Sequence, residues 1–298
     1  MKMLFVYNPI SGKGKIKEHL NDIINLFNQA KYRITIYATQ GVRDAYEIVK
    51  NRELQTYDVV VCSGGDGTFA EVVAGMMDCE EKLPVGYIPL GTTNDFAKTL
   101  NISFDVNQAV QDIVHGKVID VDNGYFNDRI FVYIAAFGLF TEVSYQTDQN
   151  LKNSLGYLAY ILEGFKSLSS IRAYKMKVIA DNDVFEGEYI YGMITNSKSV
   201  AGMDALLPEN VALDDGLFEV TLIEYPKNIV ELNEILHAVL GKKENQHIHK
   251  FKTSSLEIES EQDVSWTLDG EVGGIHRNVQ IRNNQKALSM IVEASIDI

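Results

Sequence analysis

The residues best suited to chemistry lie in Gly64-Gly65-Asp66-Gly67-Thr68, between the apolar stretch Asp58–Cys62 and a helix predicted over about Phe69–Met77. Glycines at such a turn let the backbone come close to a ligand. The start of the following helix offers unpaired N–H groups and the positive end of a dipole, which together suit a phosphate. Asp66 adds a carboxylate beside that phosphate. Two anions repel unless a cation lies between them, so Mg²⁺ is implied. The plainer alternative is a tight turn with an aspartate cap. Two glycines, an aspartate, a third glycine and a threonine exceed what a cap needs.

Further segments fall at comparable places. Asn8-Pro9-Ile10-Ser11-Gly12-Lys13-Gly14-Lys15 follows the first apolar stretch. It is not a Walker A loop, which needs Gly where Pro9 stands and Ser or Thr where Ile16 stands. It can still present amides and lysines to phosphates, or form a solvated turn. Gly91-Thr92-Thr93-Asn94-Asp95 follows Val85–Pro89, and Asp95 either caps a helix or orients a nucleotide and its metal. Asp214-Asp215-Gly216 and Leu268-Asp269-Gly270-Glu271 also join carboxylates to glycine. Each alone reads as a turn, Asp-Gly being a strong hairpin signal. A carboxylate near an acceptor hydroxyl can equally take its proton.

The elements that hold these residues alternate over 1–121. Strands are predicted at Lys2–Tyr7, Arg33–Ala38, Asp58–Cys62 and Val85–Pro89. Helices are predicted around Leu20–Phe27, Asp44–Lys50 and Phe69–Met77, with another starting near Asn94-Asp95. That order predicts an α/β N-terminal domain, a parallel doubly wound sheet with helices on both faces. All three loops then leave the carboxyl edge of one sheet, where such sheets bind ligands. Over 122–286, strands within Val118–Phe140, Tyr174–Ile194 and Phe218–Ile223 follow one another without regular helices. They predict a mainly antiparallel β-sandwich second domain. Helical stretches interrupt it at about Ser154–Leu168 and Val230–Leu240. Val279–Arg282 and Leu288–Val292 read as two closing strands, and the last, about 287–298, either stays or returns to the first domain.

These motifs, in this order along nearly the whole chain, resemble the soluble lipid kinases with a diacylglycerol kinase catalytic domain, which include sphingosine and ceramide kinases. The bacterial diacylglycerol kinase branch is the nearest. The resemblance implies transfer of phosphate from ATP to a lipid hydroxyl, most simply that of diacylglycerol, at a cleft between the domains. ATP would lie across Asn8, Pro9, Ile10, Ser11 and Gly12, Thr39, Gly64, Gly65, Asp66, Gly67, Thr68, Phe69 and Ala70, and Thr92. Asp66 would hold the catalytic Mg²⁺ with Asp95 in support. Asp215 would bind a structural Mg²⁺ with the carbonyls of Ala212 and Leu217. Asp269 and Glu271 are both candidates for the base, since family members are described with either. Many relatives carry Asn where this chain has Ala70; if that amide touches the nucleotide, the resemblance implies one contact fewer here. The same resemblance implies a homodimer. NAD kinases share the nucleotide-side loop and give one alternative. A nucleotide-binding regulatory module without catalysis gives another, with Ala70 as its sequence support.

Composition narrows the partners. Twenty-seven Lys and Arg against 41 Asp and Glu give a net charge of −14. That opposes nucleic-acid binding, which phosphate neutralisation dominates, and purely electrostatic capture by anionic membranes. It leaves room for a local basic patch. The longest apolar run, Ile130 to Phe140, has eleven residues, short of the ~20 of a membrane span. The stretch before Asn8-Pro9 is too short for a secretion signal. Cys62 and Cys79 alone point away from a disulfide framework and to a reducing cytosol. The expected location is cytoplasmic, with transient peripheral contact at the inner face of the cell membrane. Leu155, Leu158, Ala159, Ile161, Leu162, Phe165 and Leu168, beside Lys152 and Lys166, recur at helical spacing and suit core packing better than a bilayer interface. Lys242-Lys243 and His247 to Lys252 form the densest basic stretch and suit a solvated loop better than contact with anionic headgroups, and His247-x-His249 lacks a third metal ligand.

Overall fold

A computed structural model describes residues 1–51, 56–139, 171–181, 183–200, 206–207, 210–241 and 243–296. The helix expected at 154–168 and Lys242 lie outside them. The chain divides into two units, Met1–Asn123 with Gln285–Ile298, and Gly124–Asn284.

The first unit holds β1 (Lys2–Tyr7), α1 (Ile16–Gln29), β2 (Arg33–Ala38), α2 (Asp44–Lys50), β3 (Val59–Gly64), α3 (Asp66–Met77), β4 (Val85–Pro89), α4 (Asp95–Thr99) and α5 (Val106–His115). The strands pair in parallel in the order β2-β1-β3-β4. Every residue of β3 is buried, as its unbroken apolar run requires of a strand covered on both faces. α1 buries Ile16, Ile23 and Phe27 along one stripe and packs on α5. The Asp105 carboxylate caps α5 by accepting the Gln108 N–H at 2.9 Å. α2 packs on α3. Met3, Phe5, Phe27, Val59, Val61, Ile88 and Val110 form the core on the α1–α5 side. α3 starts three residues earlier than the sequence suggests. Gly65 is its extended N-cap and accepts the Phe69 N–H at 3.0 Å, so Asp66-Gly67-Thr68 make the first turn.

β5 (Lys117–Phe126) leads into the second unit, which holds β6 (Arg129–Phe131), β7 (Ile134–Gly138), β8 (Tyr174–Ala180), β9 (Asp183–Thr195), β10 (Phe218–Glu224), α6 (Ile229–Gly241), β11 (Ile248–Thr253), β12 (Ser255–Leu268) and the start of β13 (Glu271–Val292). Its strand pairs are antiparallel. β12 pairs with β8 through Leu256–Ser260 and with β7 through Trp266–Leu268. Trp266 anchors the core, its ring 5.0 Å from Phe126 and 4.9 Å from Phe137. Three readings change. Residues 248–253 form β11 and not a loop, because Phe251 stacks on Phe185 at 4.5 Å and the strand pairs along all of β10. β12 escapes notice because glutamates alternate with the buried Leu256 and Ile258. Val279–Arg282 and Leu288–Val292 are one strand, β13, running through the polar Asn283-Asn284-Gln285 where the chain passes between units. Its end lies beside β4, Met290 opposite Val85. Among the described residues no helix is long and apolar enough to cross a membrane.

Candidate active site

In the first unit, the ends of β1, β3 and β4 bring the three glycine-bearing loops into contact. The Asn8 side-chain amide donates to Thr68 Oγ1 at 3.1 Å, and the Asn8 N–H donates to the Ser63 carbonyl at 2.9 Å. Asn8 Oδ1 also accepts the Ile10 N–H at 3.0 Å and holds the Pro9 turn closed. The N–H groups of Leu90 and Gly91 both donate to the Gly64 carbonyl, at 2.8 and 3.1 Å. Two positions admit only glycine. A Cβ on Gly91 would stand 2.4 Å from Gly65 Cα. At Gly12, φ is +56° and a Cβ would stand 2.0 Å from the Leu90 carbonyl oxygen. Ser11 Oγ lies beside Gly65, Ile10 and Thr92 are exposed, and Gly67 and Ala70 are half-buried. Thr39 follows β2, buried, its N–H on the Tyr7 carbonyl at 2.9 Å. Phe69 props the loop from below, stacked on Tyr87 at 4.5 Å and Phe96 at 5.3 Å.

Tyr87 and Asn94 are supports; sequence reading missed Tyr87 and named Asn94 within Gly91–Asp95 without giving it this role. The Tyr87 hydroxyl is within hydrogen-bond distance of the Gly64 carbonyl (3.3 Å) and Asn94 Oδ1 (3.2 Å). Asn94 takes the left-handed conformation at φ +48°, accepts the Gly91 N–H at 3.0 Å and donates to the Gly91 carbonyl at 2.9 Å. An asparagine just ahead of a helix, where it tolerates that conformation, was the available signal for the second. Tyr87 reads as any core strand residue.

Asp66 and Asp95 form the electrostatic centre. Asp95 is buried and pairs with Lys98 Nζ at 3.1 Å. Burial, then the Asp95 charge, push the Asp66 carboxyl up to about 6, against the Asn94, Phe96 and Asp95 backbone N–H groups that favour its ionised form. Asp66 Oδ1 is buried with no hydrogen-bond partner. An orphaned carboxylate oxygen beside a second carboxylate fits a divalent cation such as Mg²⁺.

Two acidic clusters lie in the second unit. Asp215 Oδ1 accepts the Leu217 N–H at 3.0 Å, with Ala212 three residues upstream. Lys252 Nζ lies 3.2 Å from Asp215 Oδ2 and 3.0 Å from Glu219 Oε1, whose side chain is fully buried. Burial pushes the Glu219 carboxyl up to about 7 in spite of that ammonium. Glu224 joins His247 and His249, Oε2 to Nδ1 at 3.1 Å and Oε1 to Nε2 at 2.8 Å. It is the third partner the two histidines lacked in sequence, yet among the described residues no group of three or more His, Cys, Asp or Glu could hold a metal.

Asp269 and Gly270, at φ +51° and +82°, form the two-residue loop joining β12 to β13. The Asp269 carboxylate is buried and accepts three backbone N–H groups, from Val132 at 2.7 Å, Tyr133 at 2.9 Å and Ile134 at 3.2 Å. Glu271 opens β13 opposite Leu268 and is exposed.

Residues 2–126 match the diacylglycerol kinase catalytic domain, and residues 134–292 match the YegS C-terminal NAD kinase beta sandwich-like domain. A diacylglycerol kinase from Staphylococcus saprophyticus is 35% identical over 271 residues, covering 90% of this chain and 88% of that protein. The chain belongs to the diacylglycerol kinase family. A diacylglycerol kinase from Staphylococcus aureus matches at the same 35% identity over 90% of this chain and 85% of its own length. A Bacillus anthracis crystal structure superposes with a TM-score of 0.83 at 27% identity, covering 99% of this chain and 96% of that one. Another, of a diacylglycerol kinase from the same organism, gives 0.77 at 25% identity over 99% and 98%. The glycine cradle and Asp66 thus fall within the part that matches the diacylglycerol kinase catalytic domain. The Asp269 hairpin falls within the sandwich-like part.

Proposed function

We propose that the protein is a lipid kinase that moves the γ-phosphoryl group of ATP to the hydroxyl of diacylglycerol and forms phosphatidic acid. The observation that carries this reading is the glycine cradle closed by Gly12, Gly65 and Gly91 around Asp66, whose Oδ1 is buried without a partner. Asn8–Gly12, Thr39, Gly64–Ala70 and Thr92 take the nucleotide, with backbone N–H groups at the α3 start facing phosphate oxygens. Asp66 and Asp95 would hold Mg²⁺, which neutralises phosphate charge when bound. The lipid oxygen attacks the γ-phosphorus, the bond to the bridging oxygen breaks, and ADP leaves. A carboxylate of the Asp269–Glu271 hairpin receives the hydroxyl proton.

The Asp215 turn would hold the second Mg²⁺ through that carboxylate with the Ala212 and Leu217 carbonyls. Lys252 already gives Asp215 and the buried Glu219 a positive partner. Lys252→Met is expected to cost about 2 kcal/mol, since a carboxylate left buried without its partner is unfavourable. The melting temperature then falls by roughly 4–8 °C, and millimolar Mg²⁺ restores most of it. Thermal unfolding with and without Mg²⁺ measures this, and a fall that Mg²⁺ leaves untouched removes the second cation site.

Gly91→Ala drives a methyl group into Gly65 Cα. Overpacking of this kind costs about 1–3 kcal/mol, here by prising two phosphate loops apart. ATP affinity by calorimetry is expected to drop at least tenfold with the rest of the fold intact. The function itself is tested by Mg²⁺-dependent transfer from γ-labelled ATP in mixed micelles of diacylglycerol, monoacylglycerol, ceramide or sphingosine, with NAD⁺ in parallel. Label in diacylglycerol is expected, and label in NADP⁺ overturns the reading.

A further inference from the structure

We propose that Thr195 is a positioning residue for phosphoryl transfer: its hydroxyl fixes the peptide group that joins Tyr133 to Ile134, and that group in turn seats the Asp269 carboxylate. The proposal rests on the kinase reading, in which a carboxylate of the Asp269–Glu271 hairpin receives the hydroxyl proton. All of these residues belong to the second unit.

Val132 and Tyr133 make the bend between β6 and β7. Both are buried, where an unpaired backbone group is costly. Asp269 supplies the acceptors for this bend. Its Oδ2 takes the Val132 N–H, and its Oδ1 takes those of Tyr133 and Ile134. Thr195 supplies a donor. It is the last residue of β9, stands opposite Ile134 in the strand pairing, and is fully buried. Its Oγ1 donates to the Tyr133 carbonyl at 2.6 Å. The Asn196 N–H reaches the same oxygen at 3.0 Å.

The Tyr133 carbonyl and the Ile134 N–H are the two ends of one planar group. A turn of that plane that takes the oxygen off Thr195 also swings the N–H off Asp269 Oδ1. Donation to the oxygen polarises the peptide and strengthens the bond its N–H makes to the carboxylate. Threonine suits the post because branching at Cβ restricts its side chain to few orientations. Ile134 grips the hairpin a second time, its carbonyl accepting the Asp269 N–H at 2.9 Å. Asp269 and Gly270 are the whole of the loop, so a shift of Asp269 carries Glu271 with it. Either carboxylate must lie within hydrogen-bond reach of the proton it takes. A misplacement of about 1 Å costs up to ~10²-fold in rate.

The test compares two valine variants of the full chain. Thr195→Val keeps the shape of the side chain and removes its hydroxyl. Thr221→Val does the same to an equally buried threonine on β10, whose Oγ1 donates to the Leu206 carbonyl at 2.9 Å, outside the bend. Each should lower the melting temperature by about 2–4 °C. Thr195→Val alone should lower kcat, about tenfold, with KM for ATP unchanged, because the nucleotide loops lie in the first unit. Thr195→Ser, which keeps the hydroxyl, should restore the rate. A melting cycle checks the link without any turnover. The losses from Thr195→Val and Asp269→Asn should overlap in the double variant, whereas those from Thr221→Val and Asp269→Asn should add. Full activity in Thr195→Val overturns the proposal. So does an equal loss of rate in Thr221→Val, or additive melting losses for Thr195 and Asp269. A wild type that transfers no label to any lipid sinks the kinase reading instead, and overlapping melting losses then still support Thr195 as the residue that seats Asp269.

Discussion

Asp66→Asn is expected to lower phosphoryl transfer at least ~10³-fold while raising the melting temperature of the metal-free protein. The first effect follows if Asp66 holds the cation, since charge neutralisation is most of what phosphoryl transfer requires. The second follows from the same carboxylate. Its folded pKa, about 6, lies above the ordinary value of 3.8, with burial and Asp95 as the causes. The folded chain therefore prefers the protonated form. That contribution is complete below pH ~4 and is lost as pH rises through 6. At pH 8 the wild type carries an ionised, partly desolvated carboxylate with an orphaned oxygen, and asparagine removes the charge. Allowing for partial solvent access, the gain is about 1–2 kcal/mol, or roughly 3–6 °C. At pH 4 the difference should nearly vanish. Mg²⁺ at pH 8 should stabilise the wild type more than the Asn variant, because the variant keeps only the Asp215 turn as a proposed cation site. Thermal scans of both proteins at pH 4 and 8, with and without Mg²⁺, check all of this. An Asn variant that Mg²⁺ stabilises as much as the wild type places the catalytic cation elsewhere.

Asp269→Ala should be the most damaging change in the second unit. Three buried N–H groups, on Val132, Tyr133 and Ile134, lose a charged acceptor at once. The cost is about 4 kcal/mol, or about 10 °C, alongside loss of activity. Activity in that variant cannot by itself identify a base, and two conservative changes separate the roles. Asp269→Asn keeps the shape but turns a side-chain donor toward backbone donors, so an intermediate loss of stability is expected. Glu271→Gln alters an exposed group and should leave the melting temperature within about 1 °C. If Glu271 takes the proton, that variant loses ~10²–10⁴-fold in rate. Full activity in Glu271→Gln assigns the proton to Asp269.

Local pattern carried much of the first unit. Strands β1, β2 and β4 and helix α2 fall on the residues that periodicity marks, because Asn-Pro, Gly-Val and Gly-Thr turns bound them. Contact among the glycine loops was also legible, since parallel strands must release their loops at one edge. The start of α3 was not, because Asp-Gly-Thr reads as loop until the helix beyond supplies its hydrogen bonds. Partners distant in sequence were hidden altogether. Asp269 meets amides some 135 residues earlier, and Lys252 reaches Asp215 across a strand pair that charge and histidine had disguised. No local pattern encodes such a meeting.

The path of β13 bears on how the chain is made. The first unit borrows Gln285–Ile298, so β4 gains its neighbour at Met290 about 200 residues after Val85 has been synthesised. A ribosome delivering ~5–20 residues each second leaves that edge of the nascent sheet bare for ~10–40 seconds. Bare strand edges recruit other chains. A fragment ending at Asn123 keeps the same exposed edge for good, so the first unit should need its final strand supplied in cis, or as a separate peptide, before it stays monodisperse.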